Sequence, residues 1–457
     1  MPMRVHFIAI GGAVMHNLAI ALHLKGDKIS GSDDSIFEPS RSNLARYGLL
    51  PLTEGWDPDR IIPSLDAVIL GMHAREDNPE LLRARELGIR IYSFPEFLYQ
   101  QFRQKTRVVI AGSHGKTTIT AMVLHVLQSA GLDPDYMVGA KLDGFDVMVR
   151  ITDGPGIAVL EGDEYLTSPL DPRPKFLHYH PDIALVTGIA WDHINVFPTE
   201  QEYFNQFQLL MDGLAPGGSL VYCDSDPLVA RLPDFLAEGQ RAYSYSALPA
   251  SVEEGQTILR TVHGDFILKV FGRHNLENIA GAARVCQILG VDDHQFFSAI
   301  STFPGAARRL EKVASRGNSI LFRDFAHAPS KLRSTVTAVR EQYPEHRLIA
   351  CFELHTFSSL NLDFLPQYGG CLDKADAAAV FYHPDTLRLK RLPAFGPAEV
   401  RAAFQRDDIS VIHEAGQLLW WLQGLDNGPS IILLMSSGDF HGLKLGELIE
   451  TLGYDSE

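Results

Sequence analysis

The fold is decided by one stretch, residues 108–118, which reads VVIAGSHGKTT. Its first four residues are apolar and predict a buried strand, and the apolar spacing of residues 117–130 predicts a helix. A glycine-rich turn, Gly112–Gly115, joins the two. A strand, a glycine turn and a helix in this order are typical of a phosphate-binding loop, because backbone N–H groups and the helix N-terminus converge on phosphate oxygens. We therefore expect Lys116 to reach the β- and γ-phosphates of ATP, and the Thr117 hydroxyl to bind Mg²⁺.

The loop departs from the common spacing of such motifs, since Ile110 stands where the first glycine would be. The alternative is a plain strand–turn–helix corner with an incidental lysine. The flanking strand and helix favour the phosphate loop. Its expected ATP-binding residues are Gly112, Ser113, His114, Gly115, Lys116, Thr117 and Thr118.

Polar residues follow the next two predicted strands. Glu161 ends the apolar run 157–160, and Asp192-His193 follows the run 183–187. Because ligands of parallel α/β sheets collect at the carboxyl ends of the strands, both segments can face the phosphate loop. Glu161 offers the hard oxygen that Mg²⁺ prefers. Taken alone, His193 is either a further metal ligand or a loop histidine.

The first hundred residues alternate strand and helix patterns, which predicts a parallel sheet covered by helices. An apolar run, Val5–Ile10, ends at Gly11-Gly12, and Asp33 follows about twenty residues on, as in a dinucleotide fingerprint. Ala9 replaces the first glycine of that fingerprint, so the match to an NAD site is incomplete. A helix N-terminus that receives another diphosphate and a plain first turn of a doubly wound domain both remain open.

The chain length and two boundary-like stretches predict three domains. The chain has 457 residues, and a domain has roughly 150. A polar stretch before residue 108 and the sequence Pro304-Gly305-Ala306 place the boundaries, so the predicted domains are residues 1–104, 105–302 and 303–457. Strands and helices alternate throughout. The predicted fold class is therefore α/β, with a Rossmann-like N-terminal domain, a central P-loop ATPase domain and a Rossmann-like C-terminal domain.

The composition is that of an acidic globular protein. Lys and Arg number 40 and Asp and Glu 56, so the net charge is −16, which disfavours nucleic acid and anionic membranes as partners. No apolar run approaches the ~20 residues that a bilayer needs. The N-terminus lacks a signal-peptide pattern, so we expect the protein to stay in the cytoplasm. Its oligomeric state is open between a monomer and a dimer. Four scattered cysteines predict reduced thiols, since they form no disulfide or zinc-site pattern: Cys223, Cys286, Cys351 and Cys371.

Taken together, these segments resemble the Mur ligase family, ATP-dependent enzymes that attach amino acids or peptides to a UDP-muramoyl acceptor. The likeness is carried by separated segments in the family's order: Gly11-Gly12, 112–118, 161–165, Asp192-His193, 272–278, 308–311 and 324–329. Each segment alone is unspecific, and the set is specific. The resemblance implies that the three domains bind UDP-sugar, ATP and the incoming peptide, respectively.

The resemblance also implies roles for individual residues. The UDP-sugar would be bound by Gly11, Gly12, Asp33 and His73. The ligands of Mg²⁺ would be Thr117, Glu161 and His193. Further ATP contacts would come from His274 and Asn275 at the adenine, Arg309 at the γ-phosphate and Asp324 at the ribose. The implied catalytic residues are Lys116, Glu161, His193, Arg309 and His327, the last facing the incoming amine.

Two kinds of family member are most similar, and both use UDP-N-acetylmuramate. Segments 31–40, 171–181 and 324–327 resemble the kind that attaches the tripeptide L-alanyl-γ-D-glutamyl-meso-diaminopimelate in peptidoglycan recycling. That reaction is our first prediction, and attachment of L-alanine in peptidoglycan biosynthesis is the alternative. The alanine-attaching kind has arginines in the segment that corresponds to 352–359, and the tripeptide-attaching kind usually has arginine there as well, whereas this chain has none. A more open peptide pocket would then be lined by His327, His355, Thr356 and Ser358.

The implied reaction has two steps. The lactyl carboxylate attacks the γ-phosphate of ATP to give an acyl phosphate, and the amine then attacks the acyl carbon and expels phosphate. Two rivals belong to other classes. An NAD oxidoreductase would leave the Lys116 loop unexplained, and a non-catalytic nucleotide sensor would leave the candidate metal and amine residues without a role.

Overall fold

A computed structural model describes residues 2–72, 74–139, 145, 147–168, 170–191, 196–253, 255–425 and 428–456. Three α/β sheets follow one another along the chain, which confirms the predicted fold class. Contacts divide the chain into two compact units: unit 1 is 1–191, 195–246 and 280–299, and unit 2 is 192–194, 247–279 and 300–457. The two boundaries between the three predicted domains stay predictions.

The first sheet of unit 1 is parallel, with the strand order β2-β1-β3-β4. Its strands carry short apolar runs, and Val5–Ile8 is buried throughout. The elements are β1 (Arg4–Ile8), α1 (Ala13–Lys25), β2 (Lys28–Ser32), α2 (Ser40–Arg46), β3 (Ala67–Leu70), α3 (Pro79–Glu86), β4 (Ile91–Ser93) and α4 (Phe94–Phe102). A 3-10 turn covers Pro58–Arg60.

The second sheet of unit 1 has the order β13-β12-β11-β5-β8-β6-β7 and is parallel except for β7. The elements are β5 (Thr106–Ala111), α5 (Lys116–Ser129), β6 (Asp135–Met137), β7 (Val149–Arg150), β8 (Ile157–Glu161), β9 (Leu166–Ser168), β10 (Asp171–Pro174), β11 (Ile183–Val186), α6 (Glu200–Asp212), β12 (Ser219–Cys223) and β13 (Arg241–Tyr245). Strands β9 and β10 form a separate antiparallel pair. Short 3-10 helices cover Lys175–His178 and Val229–Phe235.

Strand β5 lies in the middle of this sheet, and its register places the site. Ile110 pairs with Glu161 of β8, and Ala111 pairs with Val186 of β11. The carboxyl ends of three parallel strands therefore lie side by side, where ligands of such sheets bind. Burial of β5 on both faces explains its continuous apolar run, since neither face needs polar residues.

The chain from residue 250 onward contains a three-stranded antiparallel ribbon and a third sheet, whose order is β21-β20-β19-β22-β18-β17-β23. The elements are β14 (Ala250–Glu253), β15 (Gln256–Thr261), β16 (Gly264–Leu268), α7 (Arg273–Ile288), α8 (Asp293–Ile300), β17 (Glu311–Arg316), β18 (Ser319–Asp324), α9 (Pro329–Gln342), β19 (Arg347–Glu353), β20 (Ala377–Phe381), α10 (Pro384–Lys390), α11 (Pro397–Phe404), β21 (Ser410–Ile412), α12 (Ala415–Leu425), β22 (Ser430–Met435), α13 (Leu445–Leu452) and β23 (Asp455–Ser456). A further 3-10 turn covers Leu365–Tyr368. Among the described residues, no helix is long and apolar enough to cross a membrane.

Candidate active site

The predicted phosphate loop connects β5 to α5. Gly112 and Gly115 have φ angles of 114° and 76°, in the left-handed region that favours glycine. A Cβ atom on Gly112 would lie 2.3 Å from the Thr187 Oγ1 atom and 2.8 Å from the Thr187 backbone nitrogen. The loop therefore needs glycine at this position, because its backbone packs directly against the segment that follows β11.

Lys116, the first residue of α5, points its ammonium back at this loop. Nζ donates a hydrogen bond of 2.7 Å to the Gly112 carbonyl and another of 2.6 Å to the Glu164 carboxylate. Burial lowers the pKa of Lys116, but the carboxylates of Glu164, Asp163 and Glu161 outweigh it, so this pKa lies above its usual value. The lysine is therefore held in its charged form, which an anionic phosphate requires.

The predicted metal ligands Thr117 and Glu161 are in contact. The Thr117 hydroxyl donates to Glu161 Oε1 at 2.9 Å, and the Gly139 N–H donates to Oε2 at 2.8 Å. A Cβ atom on Gly139 would lie 2.8 Å from Glu161 Oε1, so glycine leaves this side of the carboxylate open. Hydroxyl and carboxylate oxygens are the hard donors that suit Mg²⁺, so the residues present fit that ion. His193, the third predicted ligand, lies outside the described residues.

Sequence reasoning assigned no role to the neighbours that brace the loop. The Tyr203 hydroxyl bonds to Glu164 Oε1 at 3.2 Å and to Ser113 Oγ at 2.9 Å. Ser113 Oγ also accepts from the Ala190 N–H at 2.9 Å and lies 3.0 Å from the Ala190 carbonyl oxygen. A second brace is a short hydrogen bond from the Thr187 hydroxyl to the His114 carbonyl. The one available signal was the position of Glu164 in the segment EGDEY, three residues after Glu161.

The predicted UDP-sugar residues of unit 1 that are described also come together. The Gly11 N–H donates to Asp33 Oδ2 at 2.7 Å, and the Asp34 N–H donates to Oδ1 at 2.9 Å. Gly12 precedes α1, so its turn lies at a helix N-terminus. Burial raises the pKa of Asp33 to about 6. His73 lies outside the described residues.

In unit 2, the carboxylate of Asp324 holds the turn that contains Arg309. It accepts hydrogen bonds from the Leu310 N–H at 2.6 Å and from the Ala326 N–H at 2.7 Å. Arg308 and Leu310 both have left-handed φ angles, 56° and 49°. Non-glycine residues rarely adopt this conformation, so the anchoring carboxylate stabilises an unfavourable turn.

The turn presents the Arg309 side chain to an aromatic ring. Its guanidinium carbon lies 4.7 Å from the centroid of the Phe325 ring, within the range of a cation–π contact. Asp324 is buried and its hydrogen bonds go to groups of the same unit. The implied contacts of Arg309 with the γ-phosphate and of Asp324 with the ribose stay predictions.

The predicted adenine residues His274 and Asn275 lie at the start of α7. Gly272 precedes them with φ 87°, and a Cβ atom there would lie 2.4 Å from Ala338 Cβ on α9. His274 lines a cavity of about 510 Å³ between the start of α7 and the length of α9. Burial lowers the pKa of His274, and its shielded Nδ1 has no partner among the described residues. Asn275 Nδ2 donates to the Phe271 carbonyl at 2.9 Å.

The predicted amine-side residue His327 follows β18. Its Nδ1 lies 2.9 Å from the Phe325 carbonyl, which only accepts, so Nδ1 carries a proton. Nε2 lies 3.3 Å from the Lys331 ammonium and therefore accepts. The contacts favour the neutral ring with its proton on Nδ1.

The other predicted peptide residues follow β19. His355 Nδ1 lies 3.4 Å from the Glu353 carboxylate, a buried group that also accepts from the Phe440 N–H at 2.9 Å. The Thr356 hydroxyl bonds within its own turn, and Ser358 is buried. Glu353, which sequence reasoning did not select, therefore braces this segment of the third sheet.

Comparison with known proteins supplies the family. Residues 4–106 match the model described as "Mur ligase family, catalytic domain", and residues 110–286 match "Mur ligase middle domain". A UDP-N-acetylmuramate–L-alanine ligase from Renibacterium salmoninarum is 32% identical over 95% of this chain and 93% of its own length.

Solved structures show the same fold. The UDP-N-acetylmuramate–alanine ligase of Thermotoga maritima has a TM-score of 0.71 at 21% identity, with 98% of both chains covered. A murein peptide ligase from Psychrobacter arcticus has a TM-score of 0.67 at 22% identity, with 99% of both chains covered.

Proposed function

Because this chain belongs to the Mur ligase family of ATP-dependent ligases, we propose that it joins the lactyl carboxylate of UDP-N-acetylmuramate to the amine of an L-alanyl substrate. The observation that carries the proposal is the group of residues at the carboxyl ends of the central strands of the second sheet. There a charged Lys116, Thr117 and Glu161 collect around one phosphate loop. This arrangement suits the transfer of a phosphoryl group to a carboxylate.

The first proposed step activates a poor acylating agent. The carboxylate oxygen attacks the γ-phosphorus of ATP, the bond to the β–γ bridging oxygen breaks, and ADP leaves. Lys116 offsets charge on the phosphates, and Arg309 is proposed to do so at the γ-phosphate. Mg²⁺ held by Thr117 and Glu161 would supply further neutralisation of the phosphate oxygens. Catalysis here is positioning and electrostatics, since the transferred group needs no covalent partner on the protein.

The second proposed step forms the amide. The neutral amine attacks the acyl carbon, a tetrahedral intermediate forms, and phosphate leaves. The amine nitrogen loses one proton in this step, and His327 is the candidate to accept it, because its Nε2 is an acceptor in the tautomer that its contacts favour.

Two amines fit the proposal, and both present an L-alanyl amino group. The alanine-ligase name of the Renibacterium salmoninarum relative supports L-alanine, so the comparisons favour this alternative over the tripeptide. One specific observation keeps the tripeptide as the second candidate. Segments 31–40, 171–181 and 324–327 resemble the tripeptide-attaching kind, whereas the missing arginine of residues 352–359 separates this chain from both kinds.

The test measures ADP and amide product with UDP-N-acetylmuramate and either amine. We expect one ADP per amide bond, and no ADP without the muramate. The ratio of kcat/KM for L-alanine to that for the tripeptide decides the substrate. The Lys116→Met variant is the control for contaminating activity. Wild-type protein that binds ATP but releases no ADP with either amine would contradict the proposal.

A further inference from the structure

We infer that Glu164 is a positioning residue of this ligase: its carboxylate fixes the direction of the Lys116 ammonium and couples it to Ser113 at the other end of the phosphate loop. The inference rests on the proposed role of Lys116 at the ATP phosphates. It assigns a role to a residue that would touch neither metal nor substrate in the proposed reaction.

The first observation is the buried ion pair between Lys116 and Glu164. Glu164 Oε2 lies 2.6 Å from Lys116 Nζ, and the two side chains are 3% and 15% exposed. A lysine side chain has a flexible four-carbon stem and a symmetric ammonium, so its N–H groups have no preferred direction of their own. Two acceptors, the Glu164 carboxylate and the Gly112 carbonyl, fix two of its three N–H groups. In the proposed role, the third N–H is the one that donates to a phosphate oxygen.

The second observation is the chain of hydrogen bonds behind Glu164. Its other oxygen, Oε1, accepts from the Tyr203 hydroxyl at 3.2 Å, and Tyr203 is fully buried in α6. The same hydroxyl lies 2.9 Å from Ser113 Oγ. Because Tyr203 gives its only proton to Glu164, Ser113 is the donor to Tyr203, and Ser113 Oγ in turn accepts from the Ala190 N–H at 2.9 Å. The carboxylate is therefore anchored before any nucleotide binds.

The third observation is the charge. A carboxylate beside a phosphate-binding lysine repels ATP, so it does not serve to increase ATP affinity. Its benefit must then lie in alignment, and misplacement of a reacting or charge-stabilising group by about 1 Å can cost roughly 10²-fold in rate. Neutralising Glu164 should leave ATP binding intact or improve it, and should slow phosphoryl transfer. This separation of kcat from KM distinguishes a positioning residue from a binding residue.

The experiment compares Glu164→Gln and Glu164→Asp with the wild type. We expect Glu164→Gln to lower kcat 30- to 100-fold while KM for ATP changes less than 3-fold. Glu164→Asp keeps the charge and should recover at least 5-fold of the lost kcat. Tyr203→Phe removes the anchor but keeps the pair, so it should lower kcat by roughly 3- to 10-fold.

The control is a buried ion pair of the same unit away from the loop. Lys105 and Asp135 are 2.9 Å apart with side chains 3% and 0% exposed, so Asp135→Asn reports the effect of breaking such a pair on stability alone. It should lower the melting temperature without the kcat loss.

The inference is overturned if Glu164→Gln keeps wild-type kcat, if its loss appears only in KM for ATP, or if Asp135→Asn reproduces its kinetics. Wild-type protein that ligates neither amine would overturn the proposed function and this inference together. Active wild type with an unaffected Glu164→Gln variant would overturn the inference alone.

Discussion

Replacing Lys116 with methionine separates the stability of its ion pair from its role in catalysis. The change leaves the Glu164 carboxylate buried without its cation, and Tyr203 remains as a donor to it. Removing one partner of a buried pair costs about 3–5 kcal/mol, and the remaining donor places this site near the lower end. With roughly 2–4 °C per kcal/mol for a large domain, we expect the melting temperature to fall by about 6–12 °C.

The double variant Lys116→Met/Glu164→Gln completes the cycle. It removes both charges, so it should regain at least half of the lost stability, because replacing both partners leaves no uncompensated charge. Neither variant should ligate. The assay is thermal unfolding and urea unfolding, combined with ADP release. The reasoning is refuted if Lys116→Met is as stable as wild type, if the double variant is no more stable than the single one, or if either variant turns over at the wild-type rate.

Three further changes address other parts of the site. Burial raises the pKa of Asp33 to about 6, so the folded state holds a proton that the unfolded chain loses at lower pH. Wild type should therefore lose stability relative to Asp33→Asn as the pH rises from about 4 to about 6, and a constant difference in urea unfolding would contradict this. Gly139→Ala places a methyl group 2.8 Å from Glu161 Oε1 and should raise the Mg²⁺ concentration for half-maximal turnover about tenfold. An unchanged Mg²⁺ titration would count against the metal assignment. Phe325→Leu removes the ring under Arg309 and should lower kcat roughly 3- to 10-fold, consistent with about 1 kcal/mol for a cation–π contact; equal kcat values would count against that contact.

The sequence predicted the elements whose patterns are local. The apolar run of β5 and the glycine turn before α5 predicted the strand, the turn and the helix that the structure has there, because neither pattern depends on distant residues. Short edge strands escaped prediction. Strands β7 and β23 have two residues each, too few for a periodic pattern, and exist through pairing with β6 and β17.

The site was predicted as separate segments, and its internal contacts were not. Lys116 and Glu164 are 48 positions apart and meet because β5 and β8 pair in parallel. No spacing rule in one sequence reports such a pair. The hydrogen bonds of Asp324 to the turn around Arg309 escaped for the same reason, since the left-handed turn is visible only in the backbone. The sequence likewise does not specify the preferred amine. Residues 352–359 lack the arginine that both the alanine-attaching and the tripeptide-attaching kinds have there.

The most direct test of the central claim is the fate of oxygen in the lactyl carboxylate. UDP-N-acetylmuramate labelled with ¹⁸O in that carboxylate is ligated with ATP and an L-alanyl amine, and the released phosphate is analysed by mass spectrometry. An acyl phosphate intermediate transfers one carboxylate oxygen to phosphate, so each amide formed should yield one ¹⁸O-labelled phosphate. Amide product accompanied by unlabelled phosphate would contradict carboxylate attack on the γ-phosphate at the Lys116 loop.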